Sequence, residues 1–296
     1  MNRSRRVLIL GGLALALGWG ALVVYKPCCS LGSSPNRANA PLETPPNLSA
    51  PNPIPLSNSL ELEEMTWMEV RDRIAAGYTR VIVPTGGIEQ NGPFVSLQKH
   101  DLIAKTVSLR TAKVLGSTIV APVVSFVPEG NFDPPSGHMR YPGTISLSPD
   151  TFQRVLQDLI TSLSLSGFRE IIIVGDSGDS QGDIARATLQ RTPRNTHGAE
   201  VRYIPQFYDY ESIRAMLKKR GLLESPAPFH EELAFSLQLL AIDPSAIRYE
   251  ERMSTGNTEL GGISLRDKTS LIALGEEIIQ WRAENFAAAI RAKPPI

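Results

Sequence analysis

Carboxylates and imidazoles stand at several points of this 296-residue chain where they could do chemistry. Glu89 lies in a Gly-rich loop, Pro84-Thr-Gly-Gly-Ile-Glu89-Gln90-Asn91-Gly92-Pro93, and His100-Asp101 follow it. Asp176 and Asp179 flank Ser177 in a second loop, Gly175-Asp-Ser-Gly-Asp-Ser180. His138 sits in a long irregular stretch, and His230 adjoins Glu231-Glu232. Carboxylates of this kind serve as metal ligands or general bases, and imidazoles as proton shuttles. Each acid also has a plainer reading: solvated loop acid for Glu89, N-cap for Asp101, cap or turn residue for Asp176 and Asp179. Together they are harder to dismiss, because like charges brought close need protonation or a cation to relieve them. No HExxH or other tight histidine pair occurs, so a metal site must be assembled from distant loops. His197, in RTPRNTHGAE, reads as a surface residue.

The elements that must position these residues read as an α/β pattern. Val81-Ile-Val83 and Ile171-Ile-Ile-Val174 are short apolar runs that end in the two acidic loops. Ligands in open α/β sheets sit in the crevice outside the carboxyl ends of the strands, so two such loops on neighbouring strands would form one site. Further strands are expected over 118–125, with Pro122 marking an end or bulge, and over 200–205. Thr66 to Glu69 fits a capping box opening a helix that stops at Gly77. Helices are expected from Asp101 to Leu115, from Ser148-Pro149 to Gly167, from Ser180 to Arg191, near 211–220 and 229–242, and through the Leu271–Trp281 pattern. Residues 127–146 form a Gly- and Pro-rich loop of a length that is usually functional. Alternating strands and helices imply a three-layer α/β/α sandwich around a mostly parallel sheet.

Composition narrows the function. The formal net charge is zero, and no basic patch with interleaved aromatics argues for nucleic acid. Cys28 and Cys29 are the only cysteines, so there is neither a disulfide framework nor a thiolate metal site. Val7 to Tyr25 carries no charge, follows Arg3, Arg5 and Arg6, and as a helix would be about 28 Å long, roughly a bilayer core. Residues 1–26 therefore read as an uncleaved signal anchor, a single transmembrane helix with the domain on the extracytoplasmic side. A cleaved signal peptide is the alternative; Ala38-Asn39-Ala40 has the right form, but Pro41 follows it. Residues 27–60 are a Pro/Ser/Asn-rich linker, and 61–296 the catalytic or binding domain.

Two serine-hydrolase readings fail. Gly175-Asp-Ser-Gly178 resembles the nucleophile segment of trypsin-like proteases, which need a disulfide-rich double β-barrel. A strand followed by Gly-Asp-Ser also resembles the first block of the GDSL esterases, but no Asp-x-x-His occurs to supply their base.

The chain instead resembles the creatininase (creatinine amidohydrolase) family from about Thr66 to Pro244. The likeness rests on the Glu89 loop, on Gly137-His138-Met-Arg-Tyr-Pro142-Gly-Thr-Ile-Ser146, and on Gly167-Phe168 leading into the 171–174 strand. It implies a two-metal site, zinc or manganese, hydrolysing a C–N bond of a small, often cyclic, amide, and a tendency to homo-oligomeric rings. By resemblance Asp101 matches an acidic helix-start ligand, Asp179 a ligand glutamate, and His230 a downstream histidine. The departures are Asn91 and Ser177, which replace ligand histidines and are left to line the substrate loop. The expected metal ligands are then Glu89, Asp101, Asp176 and Asp179, an oxygen-rich set that suits Mn, Mg or Ca better than zinc, and a single hard cation or none rather than the family's two-metal centre. His138, His100 and His230 are the expected proton carriers. The reading is a membrane-anchored metal-dependent amidohydrolase of the creatininase family; the alternative is a metal-free member that binds a ligand or acts as a scaffold.

Overall fold

In the computed structural model, which describes residues 47–190, 196–222 and 230–292, the first apolar run forms strand β1, Arg80–Thr85. Every element below lies in the unit Asn52–Ile296. Three more strands join it: β2, Thr118–Val120; β3, Glu170–Gly175; and β4, Glu200–Tyr203. The order is β2-β1-β3-β4 and every pairing is parallel, with Val81 opposite Ile171 and Ile82 opposite both Ile172 and Val120. The chain leaves β1 for β2 on one side, then returns across the sheet to β3 on the other. The order therefore reverses between β1 and β3, and their carboxyl ends open the crevice where ligands bind in such folds.

The period of two along the strands feeds two apolar cores. Ile82, Ile172 and Val174 face one, which holds helix α2, Lys99–Leu115; α5, Tyr210–Lys219; α6, Leu233–Ile242; and α8, Lys268–Arg291. Val81, Val83, Ile171 and Ile173 face the other, against α1, Trp67–Ala75; α3, Pro149–Ser166; and α4, Gln181–Leu189. A short helix α7, Tyr249–Ser254, and a two-stranded ribbon, β5 Glu259–Leu260 with β6 Ile263–Ser264, precede α8. Helix α6 is buried from Leu233 to Leu240 because it is sandwiched, and only Ser236 and Gln238 interrupt its apolar surface. Its Leu237 carbonyl oxygen would lie 2.1 Å from a Cβ at Gly275 of α8, so the two helices cross at backbone contact.

Local signals explain most helix starts. Thr66 caps α1 by accepting from the Glu69 amide, and Glu69 returns the bond to the Thr66 amide, as the capping box requires. Ser148 caps α3 with Pro149 as its first residue, and Gly167 ends it in the left-handed region at φ 109°.

Four expectations shift. Helix α2 begins at Lys99, not Asp101, so that Lys99, His100 and Asp101 share its first turn. Strand β2 stops at Val120; Pro122 breaks it, and the chain rejoins only as a single bridge, Val124 to Thr85. Strand β4 ends at Tyr203, where Pro205 opens a 3-10 turn. Helix α6 begins at Leu233, because His230 takes a left-handed backbone (φ 69°) that a helix cannot include. The expected membrane helix over 1–26 and the linker up to residue 46 lie outside the described residues, and among the described residues no helix is long and apolar enough to cross a membrane.

Candidate functional site

The loop after β1 is folded onto itself so that Glu89 points inward. Its amide donates to the Leu97 carbonyl, and Asn91 Nδ2 donates to the carbonyls of Glu89 (2.9 Å) and Ser96 (3.1 Å). Asn91 is thus a buried staple of this loop. Gly86 and Gly87 let two carboxyl groups lie directly on the backbone: a Cβ would meet Asp101 Oδ1 at 1.8 Å at the first and Glu129 Oε1 at 2.4 Å at the second. Glu231 clamps the far side, accepting from the Phe94 amide at 3.0 Å and pairing with Arg252 at 2.6 Å.

Helix α2 delivers two cations to Glu89. His100 Nε2 lies 2.9 Å from Glu89 Oε1, and Lys99 Nζ lies 3.2 Å from the same oxygen. His100 Nδ1 meets Asp176 Oδ2 at 2.9 Å, so the ring bridges the loops after β1 and β3. Asp176 is fully buried and is held from behind by Arg282 (2.8 Å) and by the Tyr210 hydroxyl (2.9 Å). Phe235 of α6 walls the site, edge-on to His100 and 4.5 Å under the Lys99 ammonium. Burial would raise the Glu89 carboxyl, but His100 and Lys99 hold it well below the usual range. Burial works against a charged His100 too, yet Glu89 and Asp176 raise it, so the ring is an imidazolium between two carboxylates. Burial likewise opposes the charge on Asp176, and Arg282 and His100 overcome it.

The 127–146 loop closes the other side. Ile145 donates to the Ile88 carbonyl, the Gln90 amide donates to Thr144 Oγ1, and His138 donates its amide to the Glu129 carbonyl. Two side chains enter from it. His138 Nε2 lies 3.4 Å from Glu89 Oε2. Glu129 is wholly buried, and no hydrogen bond of normal geometry reaches either of its oxygens. Burial first, and then the Glu89 charge, push its carboxyl up to about 10. His230 completes the ring of imidazoles: its Nε2 is 3.8 Å from Glu89 Oε1, its ring is 4.9 Å from that of His138, and its side chain is 33% exposed. Burial, with Lys99 nearby, lowers it to about 4, so it is neutral at pH 7.

Two sets of donor atoms could hold a metal ion among the described residues: Glu89, His100 and His230, and Glu89, Glu129 and His138, each within 4.8 Å. Of the ligands expected from sequence, Glu89 belongs to both sets. Asp101, one residue on from His100, turns instead to the Gly87 amide at 3.0 Å. Asp176 supports His100 and Arg282, and Asp179 is exposed. The expected proton carriers His100, His138 and His230 all gather on Glu89. Ser177 is buried, while His197 is exposed. Glu129 and Lys99 are the residues that sequence reasoning missed. Glu129 carried no signal beyond its place in a long loop; Lys99 did, since a cation in a helix's first turn opposes the helix dipole.

A family model described as creatininase, creatinine amidohydrolase, matches residues 63–285. The chain belongs to the creatininase family. The creatinine amidohydrolase of Pseudomonas putida is 29% identical over 119 residues, which are 40% of this chain and 45% of that one. The alignment thus spans less than half of the length of that creatininase. Among solved structures, a mutant creatininase of the Zn-Zn type is 22% identical with a TM-score of 0.63, covering 81% of this chain and 100% of the other. A structure described as creatininase Mn is 22% identical with a TM-score of 0.62, covering 80% and 100%. At such identities the likeness shows the creatininase fold. The parallel sheet and the loops at its switch point are the features of this chain that the fold places.

Proposed function

We propose that this protein is a metal-dependent hydrolase that cleaves the C–N bond of a small, often cyclic, amide. The observation that carries the reading is Glu129: a buried carboxyl without a hydrogen bond, within 4.8 Å of donor atoms of Glu89 and His138. Buried polar groups are rarely left unpaired, and a divalent cation would satisfy both carboxylates at once. A carboxylate and imidazole set suits Mn or Zn. The family and its creatinine amidohydrolase relative support the amide substrate.

Glu89, Glu129 and His138 would hold the ion, which when bound supplies Lewis acidity toward a carbonyl and lowers the pKa of a water. The other residues have separable tasks. His230, neutral and part-exposed, can accept a proton from the attacking water and return it to the leaving nitrogen. His100 has both ring nitrogens engaged, so it positions Glu89 rather than shuttling protons. Phe235 and the 127–146 loop wall the buried carboxylates on two sides.

One observation favours the metal-free alternative: Lys99 and His100 already neutralise Glu89 Oε1. Glu129 weighs against it, because neither of its buried oxygens is reached by a hydrogen bond of normal geometry. The test is elemental analysis of the full-length protein, purified without chelator and incubated with Zn²⁺ or Mn²⁺, followed by a screen of small linear and cyclic amides for amine release. Bound metal and chelator-sensitive turnover are expected. A protein that stays metal-free sinks the hydrolase.

The uncharged run 7–25 supports a membrane-tethered enzyme, which carbonate extraction of membranes containing the full chain tests. Release into the soluble fraction would contradict the tether.

A further inference from the structure

Glu89 is shared by two metal-capable groups, and it offers a different oxygen to each. Oε1 faces His100 Nε2 at 2.9 Å and His230 Nε2 at 3.8 Å; Oε2 faces His138 Nε2 at 3.4 Å, on the side of Glu129. Geometry alone would therefore allow two cations, one on each oxygen. The Oε1 side already has two: the His100 imidazolium, which can give up its Nε2 proton to an incoming ion and so become a ligand, and the Lys99 ammonium, which offers no lone pair. Lys99 Nζ sits 3.2 Å from that oxygen, and its side chain is 1% exposed. The ammonium is buried and rests 4.5 Å from the Phe235 ring, so a divalent ion on Oε1 would meet its positive charge at contact distance.

The placement of Lys99 is not a default of helix formation. Lys99 and His100 occupy the first turn of the 17-residue α2, where the helix dipole disfavours cations. Their charges are offset there by Glu89 and Asp176. On the Oε2 side the situation is reversed: Glu129 brings a carboxyl and no cation comes with it.

We propose that Lys99 is the resident cation of the Oε1 side, so that this chain takes a single divalent ion, held by Glu89, Glu129 and His138. The inference rests on the metal-dependent reading above and specifies its stoichiometry. Lys99 is then a positioning residue: its ammonium fixes Glu89 so that Oε2 is presented to the ion.

The test counts metal ions, independently of activity. Full-length wild type, Lys99→Met and Lys99→Arg are dialysed against Zn²⁺, then against metal-free buffer, and analysed by inductively coupled plasma mass spectrometry, with circular dichroism to confirm folding. The expected counts are one equivalent for wild type, two for Lys99→Met, and one for Lys99→Arg, which keeps the charge. If the Met variant does not fold, Lys99→Gln takes its place with the same expected count of two. Two equivalents in wild type, or any count other than two in a folded uncharged variant, overturns the proposal. One equivalent in both wild type and the uncharged variant overturns it while leaving the hydrolase reading intact; no metal in any of the proteins overturns both.

Discussion

Glu89 and Glu129, both buried, bring carboxyl oxygens within 4.8 Å of one another, yet they are in opposite states: Glu89 is paired with Lys99 and His100, whereas no hydrogen bond of normal geometry reaches Glu129. One is held charged by its neighbours and the other is pushed toward neutrality by burial and by Glu89 itself. The pair is costly without a cation and well suited to one.

That cost has a defined pH dependence. The Glu129 carboxyl rises from 4.5 to about 10 in the folded protein. Between those values the unfolded chain has lost a proton that the folded chain keeps, so stability falls as pH rises. In metal-free protein, Glu129→Gln should therefore raise the Tm, and by more at pH 8 than at pH 5. Added Zn²⁺ or Mn²⁺ should raise the Tm of wild type and leave that of Glu129→Gln unchanged. Equal Tm differences at both pH values would contradict the buried state assigned to Glu129.

Asp176 and Arg282 form the buried support under His100. Asp176→Asn leaves the guanidinium without its counter-charge, and removing one partner of such a pair costs about 3–5 kcal/mol. Urea denaturation should show that loss, and the double variant Asp176→Asn with Arg282→Gln should recover part of it. A loss near zero for Asp176→Asn would mean that Arg282 is satisfied by the Phe207 carbonyl, Gln238 and the Tyr210 hydroxyl.

The ligand assignment separates two residues that sequence reasoning treats alike. His138→Ala should abolish stoichiometric metal, because His138 faces Glu89 Oε2. Asp179→Ala should leave metal content unchanged, since Asp179 is exposed and outside both donor sets. Equilibrium dialysis of the two variants reads this directly, and metal loss in Asp179→Ala would reverse the assignment.

Far from the site, the start of α1 gives a control. Thr66→Ala should destabilise by about 1 kcal/mol without altering metal content. Glu69 is lowered to about 2, chiefly by hydrogen bonds from the Thr66 and Ser57 amides. Its contribution is full above its ordinary value of 4.5 and is lost as pH falls toward 2, so Glu69→Gln should flatten the acid limb of the stability profile. An unchanged acid limb would place that dependence elsewhere.

The sheet was legible because its strands are short apolar runs, and the two loops after β1 and β3 follow from the rule that ligands gather at strand ends. What the sequence left open was phase and pairing. A helix turns by about 100° per residue, so a start at Lys99 puts His100 on Glu89 and sends Asp101 to the Gly87 amide. Glu129 reaches the site on a loop held by the Ile88–Ile145 and Val127–Ser146 bridges, contacts that no local pattern announces. Asn91 reads as a lost ligand in sequence and stands in the fold as the staple of the Glu89 loop.

Anomalous diffraction at the zinc edge, on crystals of the full-length protein equilibrated with Zn²⁺, tests the central claim most directly. The account predicts one peak, enclosed by Glu89 Oε2, Glu129 and His138 Nε2. A crystal without a peak there, or with its peak among Glu89 Oε1, His100 and His230, would contradict it.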